Sequence, residues 1–380
     1  MSRGTSPSAR AMRIAQISPL CESIPPQRYG GTERVVHYLT EELVRRGHAV
    51  VLFASGDSRT SAELFPCVPK ALRLAGYKGD PAVPELIQLD QLMDQLDRFD
   101  VLHFHTGASH YPLVRQLPVP HLNTLHGPLT APDRAQLYRR FHQLPLVSIS
   151  EAQRQPLPEA HWLATVYHGL PLDLYQPVNE PDDYLAFVGR ISPEKRLDRA
   201  IAVAGQLGLP LKVAAKIDSC DAAYYNDHIA GLIEGNPLVE FIGEVDDAGK
   251  QELLGNALAL LFPIDWAEPF GLVMIEANAC GTPVIAWRNG STPEVIRPGL
   301  NGVLVNSIAE AVAAVRQLDR LDRHAVRRDF EQRFSVTRQA EQYEQLYRRL
   351  IDAHGDPAAQ DGHRPLHRPC PPRDPLLHAA

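Results

Sequence analysis

Cysteine is scarce and poorly placed for pairing. The five residues, Cys21, Cys67, Cys220, Cys280 and Cys370, are odd in number and widely scattered. That spacing excludes a disulfide framework and a paired-cysteine zinc site, and it fits a reducing cytoplasm. No apolar run is long enough to cross a bilayer. The opening "MSRGTSPSARA" has no apolar core, so a secretory signal is not expected. Positive charge is not in excess: the formal net charge is −7, which argues against a nucleic-acid partner. Neither a G-x-G-x-x-G fingerprint nor a P-loop is found.

What is present is alternation. At 380 residues the chain is long for one core, so two domains are expected. Strand-like runs "MRIAQIS", "HAVVLFAS", "DVLHFHT", "HLNTLHG" and "PLVSIS" are separated by helical stretches such as "TERVVHYLTEELVRRG". A proline-rich passage at 169–183 interrupts the pattern. It restarts with "YLAFVGR" and continues through "LKVAAK", "LVEFIG", "LALLFP", "PVIAW" and "GVLV". Alternation of this kind predicts parallel sheets built from βαβ units. The expected fold is α/β, with two Rossmann-like domains facing a cleft. The predicted boundaries are a disordered start at 1–11, a first domain at 12–175 and a second at 176–334. A last helix at 335–354 is expected to cross back to the first domain. The proline-rich remainder, 355–380, reads as disordered.

The stretch "EPFGLVMIEANACGTPVIA" (268–286) reads as a buried helix feeding a buried strand, yet it carries two glutamates. Glu276 sits among Val273, Met274, Ile275, Ala277 and Ala279, where an unpaired carboxylate would be costly. Proline after Glu268 predicts that this acid caps the helix and that Pro269 is its first residue. The amides of Phe270, Gly271 and Leu272 would then be free to meet a ligand. On that geometry the acids are separated by a rise of about 12 Å and a turn of about 80°. Glycosidase carboxyls lie about 5–9.5 Å apart across one bond, so two separate hydroxyl clamps are the better reading.

Three other places carry candidate chemistry. In "FVGRISPEKRLDRAI", Arg190 and Lys195 follow a strand end, where cations suit a phosphate pair. The plain alternative is a surface loop whose Lys195 and Arg196 pair with Glu194 or Asp198. In "PPQRYGGTERVV", Gly30 and Gly31 precede a helix N-terminus, where amides can approach an anion. His126, in "NTLHGP", ends a strand where an open-sheet site would lie. His103 and His105 share one strand face, a spacing that could hold a metal, but buried strand-end histidines are the plainer reading.

Taken together these pieces resemble the family 4 retaining glycosyltransferases of GT-B fold. The strongest match is "EPFGLVMIE" followed by "ANACGTPVIA". It is joined in order by "YGGTERVV", "NTLHG", "VYHGLPLD", "FVGRISPEK" and "NGSTPEVI", over about residues 12–350. The resemblance implies transfer of a hexose from a nucleoside-diphosphate sugar to an acceptor hydroxyl. That acceptor would be a glycan, a lipid-linked saccharide or a small metabolite. By the resemblance, Arg190 and Lys195 neutralise the departing diphosphate and Gly31 approaches it. Glu276 accepts the ribose hydroxyls, Glu268 with the amides from Phe270 to Leu272 holds the hexose, and His126 lies beside it. Gly30 and Gly243 are implied on the donor side, as is Lys216, which stands where many members have glycine. No cofactor or bound metal is implied.

Two other readings stay open at this stage: a nucleotide-sugar epimerase of the same fold, and a non-catalytic sugar-nucleotide binder. Arg139 and Arg140, in 130–144, could face an anionic acceptor or the inner face of a membrane, though a solvated helix face is the plainer reading. Donor base, donor sugar, acceptor and oligomeric state are not legible.

Overall fold

The computed structural model describes residues 10–27, 30–114 and 117–355. The N-terminal nine residues and the tail from 356 lie outside the described residues, and with them all of the C-terminal segment expected to be disordered except Gly355, which ends the last helix.

The first sheet has seven parallel strands: β1 (Arg13–Ile17), β2 (Ala49–Ser55), β3 (Glu63–Val68), β4 (Val101–Phe104), β5 (His121–Thr124), β6 (Leu146–Ser148) and β7 (Trp162–Thr165), in spatial order β3-β2-β1-β4-β5-β6-β7. The second has six: β8 (Leu185–Arg190), β9 (Leu211–Lys216), β10 (Val239–Phe241), β11 (Ala259–Phe262), β12 (Val284–Trp287) and β13 (Gly302–Val305), in order β10-β9-β8-β11-β12-β13. Every pairing in both sheets is parallel. Central strands such as β4, β11 and β12 are buried along their whole length, as helices on both faces require.

Each order reverses direction at one point, between β1 and β4 and between β8 and β11. Ligands of open α/β sheets bind beyond the strand carboxyl ends at such a reversal. In this chain those ends lead into Gly30 and His105 in the first domain, and out of Arg190 and toward Glu268 in the second. The topology therefore delivers the candidate residues to one place.

Three features tie the halves together. The helix Val336–Gly355 leaves the second domain and packs on the first, where Ala340, Tyr343, Leu346 and Tyr347 share a core with Met12, Ile14, Leu39 and Leu43. Its amphipathic spacing gives it an apolar stripe, which the first sheet buries. Arg34, on the helix Gly31–Arg45, bonds both oxygens of Asp247 at 2.5 and 2.6 Å. Glu294 accepts from the Glu151 and Ala152 amides at 2.7 Å each and from the Tyr167 hydroxyl at 3.0 Å.

Replacing Tyr343 with alanine empties a fully buried position beneath the crossing helix. The variant is expected to lose about 3–5 kcal/mol of stability, measured by denaturant unfolding. A loss below about 1 kcal/mol would mean that the helix is a loose attachment.

Candidate functional site

Between the domains lies a cavity of about 490 Å³. The first domain contributes Gly30, Gly31, Arg34, Arg73, His126 and His168, among others. The second contributes Arg190, Lys195, Lys216, Lys250, Glu268 and Glu276, with the backbone from Phe270 to Leu272.

The helix bearing Glu276 begins later than the sequence suggests. It spans Leu272–Ala279, with Gly271 as its N-cap at φ 80°, so neither Glu268 caps it nor Pro269 starts it. A distant turn overrides the local proline signal. Ser291 donates its amide to the Glu268 carbonyl at 3.0 Å and its hydroxyl to the Phe270 carbonyl at 2.8 Å. These bonds hold residues 268–270 outside the helix, and the reversal at Gly271 uses a conformation costly for a side chain. The approach also depends on Gly290, where an added Cβ would overlap the Glu268 backbone. The helical rise and turn predicted between the two acids therefore do not apply. The amides of Phe270, Gly271 and Leu272 have no acceptor among the described residues, so they stay available at the cavity.

Both acids are buried, and each has its own lysine. Glu276 is 3% exposed and its Oε1 accepts from Lys250 Nζ at 2.7 Å. Glu268 is 8% exposed and its Oε2 accepts from Lys195 Nζ at 2.5 Å and Trp266 Nε1 at 3.1 Å. Lys195 lies over the Trp266 and Phe262 rings, 5.0 and 5.6 Å from their centres, which favours the cation there. The surface-loop reading thus fails for Lys195, although Arg196 does pair with Asp198 at 2.8 Å. Arg190, the last residue of β8, contacts Glu194 at 2.7 Å and Asp221 at 3.1 Å. Lys216, ending β9, contacts Asp218 at 3.1 Å.

The first domain brings its glycine loop to the same place. A Cβ on Gly31 would lie 3.6 Å from a Leu272 methyl, so the starts of the two helices meet at the cavity. Both present positive dipole ends, and the 270–272 amides are open at the second, an arrangement that favours an anion.

His126 stacks on His168 with ring centres 5.4 Å apart, and His168 meets Phe270 edge-on at 4.8 Å. Burial lowers the His126 pKa to about 4, and holds His105 and His168 well below 6.5. His126 is therefore neutral near pH 7. Every ring nitrogen of His103 and His105 is hydrogen-bonded within the protein. Among the described residues no group of three His, Cys, Asp or Glu side chains is placed to hold a metal.

Of the twelve residues that the resemblance assigns to the site, eleven line this cavity and Gly243 does not. Gly243 instead accepts from the Ala215 amide at 2.9 Å, while its neighbours Glu244 and Val245 reach the cavity. Arg139 and Arg140 are exposed and absent from the lining, as a solvated helix face would be. Sequence reasoning missed Arg34, Lys250, Arg73 and His168. Arg34 lies one helical turn before Tyr38, a spacing legible in the sequence, but the burial that marks it is set by the fold. Lys250 carries no local signal.

Residues 176–333 match the family described as Glycosyl transferases group 1, and residues 29–174 match Glycosyltransferase Family 4. The chain belongs to the family 4 glycosyltransferases of GT-B fold, and is an enzyme of that class. Among its relatives is a glycogen synthase of Mycobacterium tuberculosis, 25% identical, covering 87% of this chain and 94% of the relative. A D-inositol 3-phosphate glycosyltransferase of Mycolicibacterium smegmatis is 26% identical over 73% of this chain and 75% of the relative. A solved glycosyltransferase involved in avilamycin A biosynthesis is 25% identical, with TM-score 0.70, covering 90% of this chain and 98% of that one. Sucrose-phosphate synthase from Thermosynechococcus elongatus shares the fold, with TM-score 0.74 at 22% identity and coverage of 90% and 100%.

Two outcomes follow from this geometry. Gly290→Ala should displace the Glu268 segment, and a protein that is folded by circular dichroism should lose most of its activity; wild-type activity would mean that the contact is not needed. The buried histidines also set a pH dependence. Between pH 6.5 and about 4 the unfolded chain binds protons that folded His126 does not. His103, His105 and His168 act in the same direction. Their contribution is intact above pH 6.5 and is lost as pH falls through that window, at up to about 1.4 kcal/mol per histidine per pH unit. Unfolding midpoints that are equal at pH 7.5 and pH 5 would contradict this.

Proposed function

We propose that this glycosyltransferase moves a hexose from a nucleoside-diphosphate sugar to an acceptor hydroxyl with retention of anomeric configuration. The observation that carries the reading is the composition of one cavity. Two lysine-paired acids, Glu276 within the helix Leu272–Ala279 and Glu268 in the segment just before it, share the cavity with cations and with the free amides at the helix start.

The diphosphate sits between the two helix starts, beside Arg190 and Lys195, with Lys216 near its nucleoside end. The Glu276 oxygen not held by Lys250 accepts the ribose hydroxyls. Glu268 and the 270–272 amides hold hexose hydroxyls as acceptor and donors. As the sugar–phosphate bond breaks, negative charge grows on the leaving oxygen, and fixed cations and amides stabilise it without reorganising. The acceptor hydroxyl attacks from the same face and its proton passes to the departing phosphate. His126, being neutral, hydrogen-bonds the hexose without adding charge.

One neighbour of the same fold, Anabaena HepE, has been solved with UDP-glucose. The acceptor enters from the first-domain side, near Arg73 and Glu22. It is a glycan, a lipid-linked saccharide or a small metabolite. Phosphate neutralisation by side chains makes a divalent metal unnecessary.

Incubation with a panel of nucleoside-diphosphate sugars tests the reading. The true donor should be hydrolysed slowly without acceptor, releasing free nucleotide. Conversion of the sugar without release would indicate an epimerase, and binding with neither would indicate a passive binder. With that donor, Arg190→Ala and Lys195→Ala should each lower kcat at least tenfold, the equivalent of about 1.5–3 kcal/mol of charge-assisted contact. Activity should persist in excess chelator. Loss in chelator that added zinc or manganese restores would contradict the metal-free account.

A further inference from the structure

The buried polar residues behind His126 form one continuous chain of hydrogen bonds across the first sheet. His126 Nε2 meets His105 Nδ1 at 2.9 Å. His105 Nε2 meets Gln16 Oε1 at 2.7 Å, and Gln16 Nε2 donates to the Tyr347 hydroxyl at 3.2 Å. Tyr347 meets His103 Nδ1 at 2.7 Å, and His103 Nε2 meets Thr124 Oγ1 at 2.7 Å. The residues come from β1, β4, the end of β5 and the crossing C-terminal helix, and Gln16 and His103 are register partners. Gln16, His103 and Tyr347 are fully buried, and His105 is 4% exposed.

A neutral imidazole has one donor and one acceptor nitrogen, so each bond in such a chain fixes the next. Only two polarities are self-consistent, and Gln16 distinguishes them. If its amide oxygen faced Tyr347, an O–H···O bond would span 3.2 Å, beyond the usual range of about 2.5–3.0 Å. With the amide nitrogen facing Tyr347, 3.2 Å is within the N–H···O range, as is 2.7 Å for His105 donating to the amide oxygen. His105 must then carry its proton on Nε2 and accept at Nδ1. His126 must donate from Nε2, which leaves its Nδ1 bare. That atom is buried and has no hydrogen-bond partner among the described residues, on a ring that lines the cavity.

We propose that Gln16 and His105 are positioning residues that hold His126 in its Nε2–H tautomer, so that Nδ1 accepts a hydrogen bond from a substrate hydroxyl. The ligand's class, a sugar hydroxyl, rests on the proposed function; the tautomer does not. The relay also makes the C-terminal helix part of the reaction centre, because Tyr347 sets the orientation of the Gln16 amide. Burial keeps the imidazoles neutral, which the alternation requires.

The test is nitrogen-15 NMR of histidine-labelled full-length protein at pH 7.5, reading tautomers from two-bond ring correlations. In the resting wild type, His126 and His105 should both be Nε2–H. Gln16→Met removes the group that orients His105, and both tautomers of His126 should appear. Transfer at saturating donor should fall about tenfold, a loss equivalent to about one hydrogen bond. Affinity for the free nucleoside diphosphate should stay within twofold. Tyr347→Phe, a smaller change at the far end of the amide, should mix the tautomers in the same way if Gln16→Met does not fold. A wild-type His126 protonated on Nδ1, or unchanged tautomers in the variants, would overturn the proposal. The expected tautomers alongside a failure to use any donor sugar would support the relay and count against the proposed function.

Discussion

The site depends on keeping two carboxylates charged inside a protein. Glu276 and Glu268 are nearly without solvent, and each is tolerable only because a lysine reaches it. Removing one partner of such a pair leaves a stranded charge, a cost of about 3–5 kcal/mol. The lysines therefore constrain the fold as well as the site. Lys250 must come from the helix Asp247–Gly255 and Lys195 from the loop after β8, so two crossovers are locked around the helix Leu272–Ala279. What results is a pair of acids whose positions are set before any ligand arrives.

Around that centre the two sheets repeat one device. Each reverses its strand order once, and each reversal opens toward the other domain. The crossing helix Val336–Gly355 and the Arg34–Asp247 and Glu294 contacts hold the two openings face to face. The same helix supplies Tyr343 and Tyr347 to the buried network behind His126. A structural strap and the polar backing of the cleft are thus one element.

Much of this was legible because parallel sheets write long apolar runs. All six strands of the second sheet stand out, as do five of the seven in the first. The two that escape, β3 and β7, are the edge strands of their sheet. β3 is half-buried and interrupted by Pro66, and β7 is only partly buried, so neither needs a continuous apolar run. Within the site, an acid in an apolar helix announced that Glu276 must be paired. Its partner, 26 residues away in sequence, could come only from the tertiary fold. The helix start was misread for a similar reason. Pro269 favours a start at that residue, but Ser291 and Gly290 impose the one observed. Local rules located the chemistry, and long-range bonds decided its geometry.

The two acids are proposed to divide one ligand between them, Glu276 on the nucleotide and Glu268 on the transferred sugar. Calorimetric titration of Glu276→Gln and Glu268→Gln with the free nucleoside diphosphate tests it most directly, because that product contains the ribose but not the hexose. Glu276→Gln should weaken binding by about 1.5–3 kcal/mol, the usual worth of a hydrogen bond to a charged group. Glu268→Gln should bind the nucleotide as the wild type does and lose only transfer. Equal losses in both variants, or a loss confined to Glu268→Gln, would contradict the division of roles.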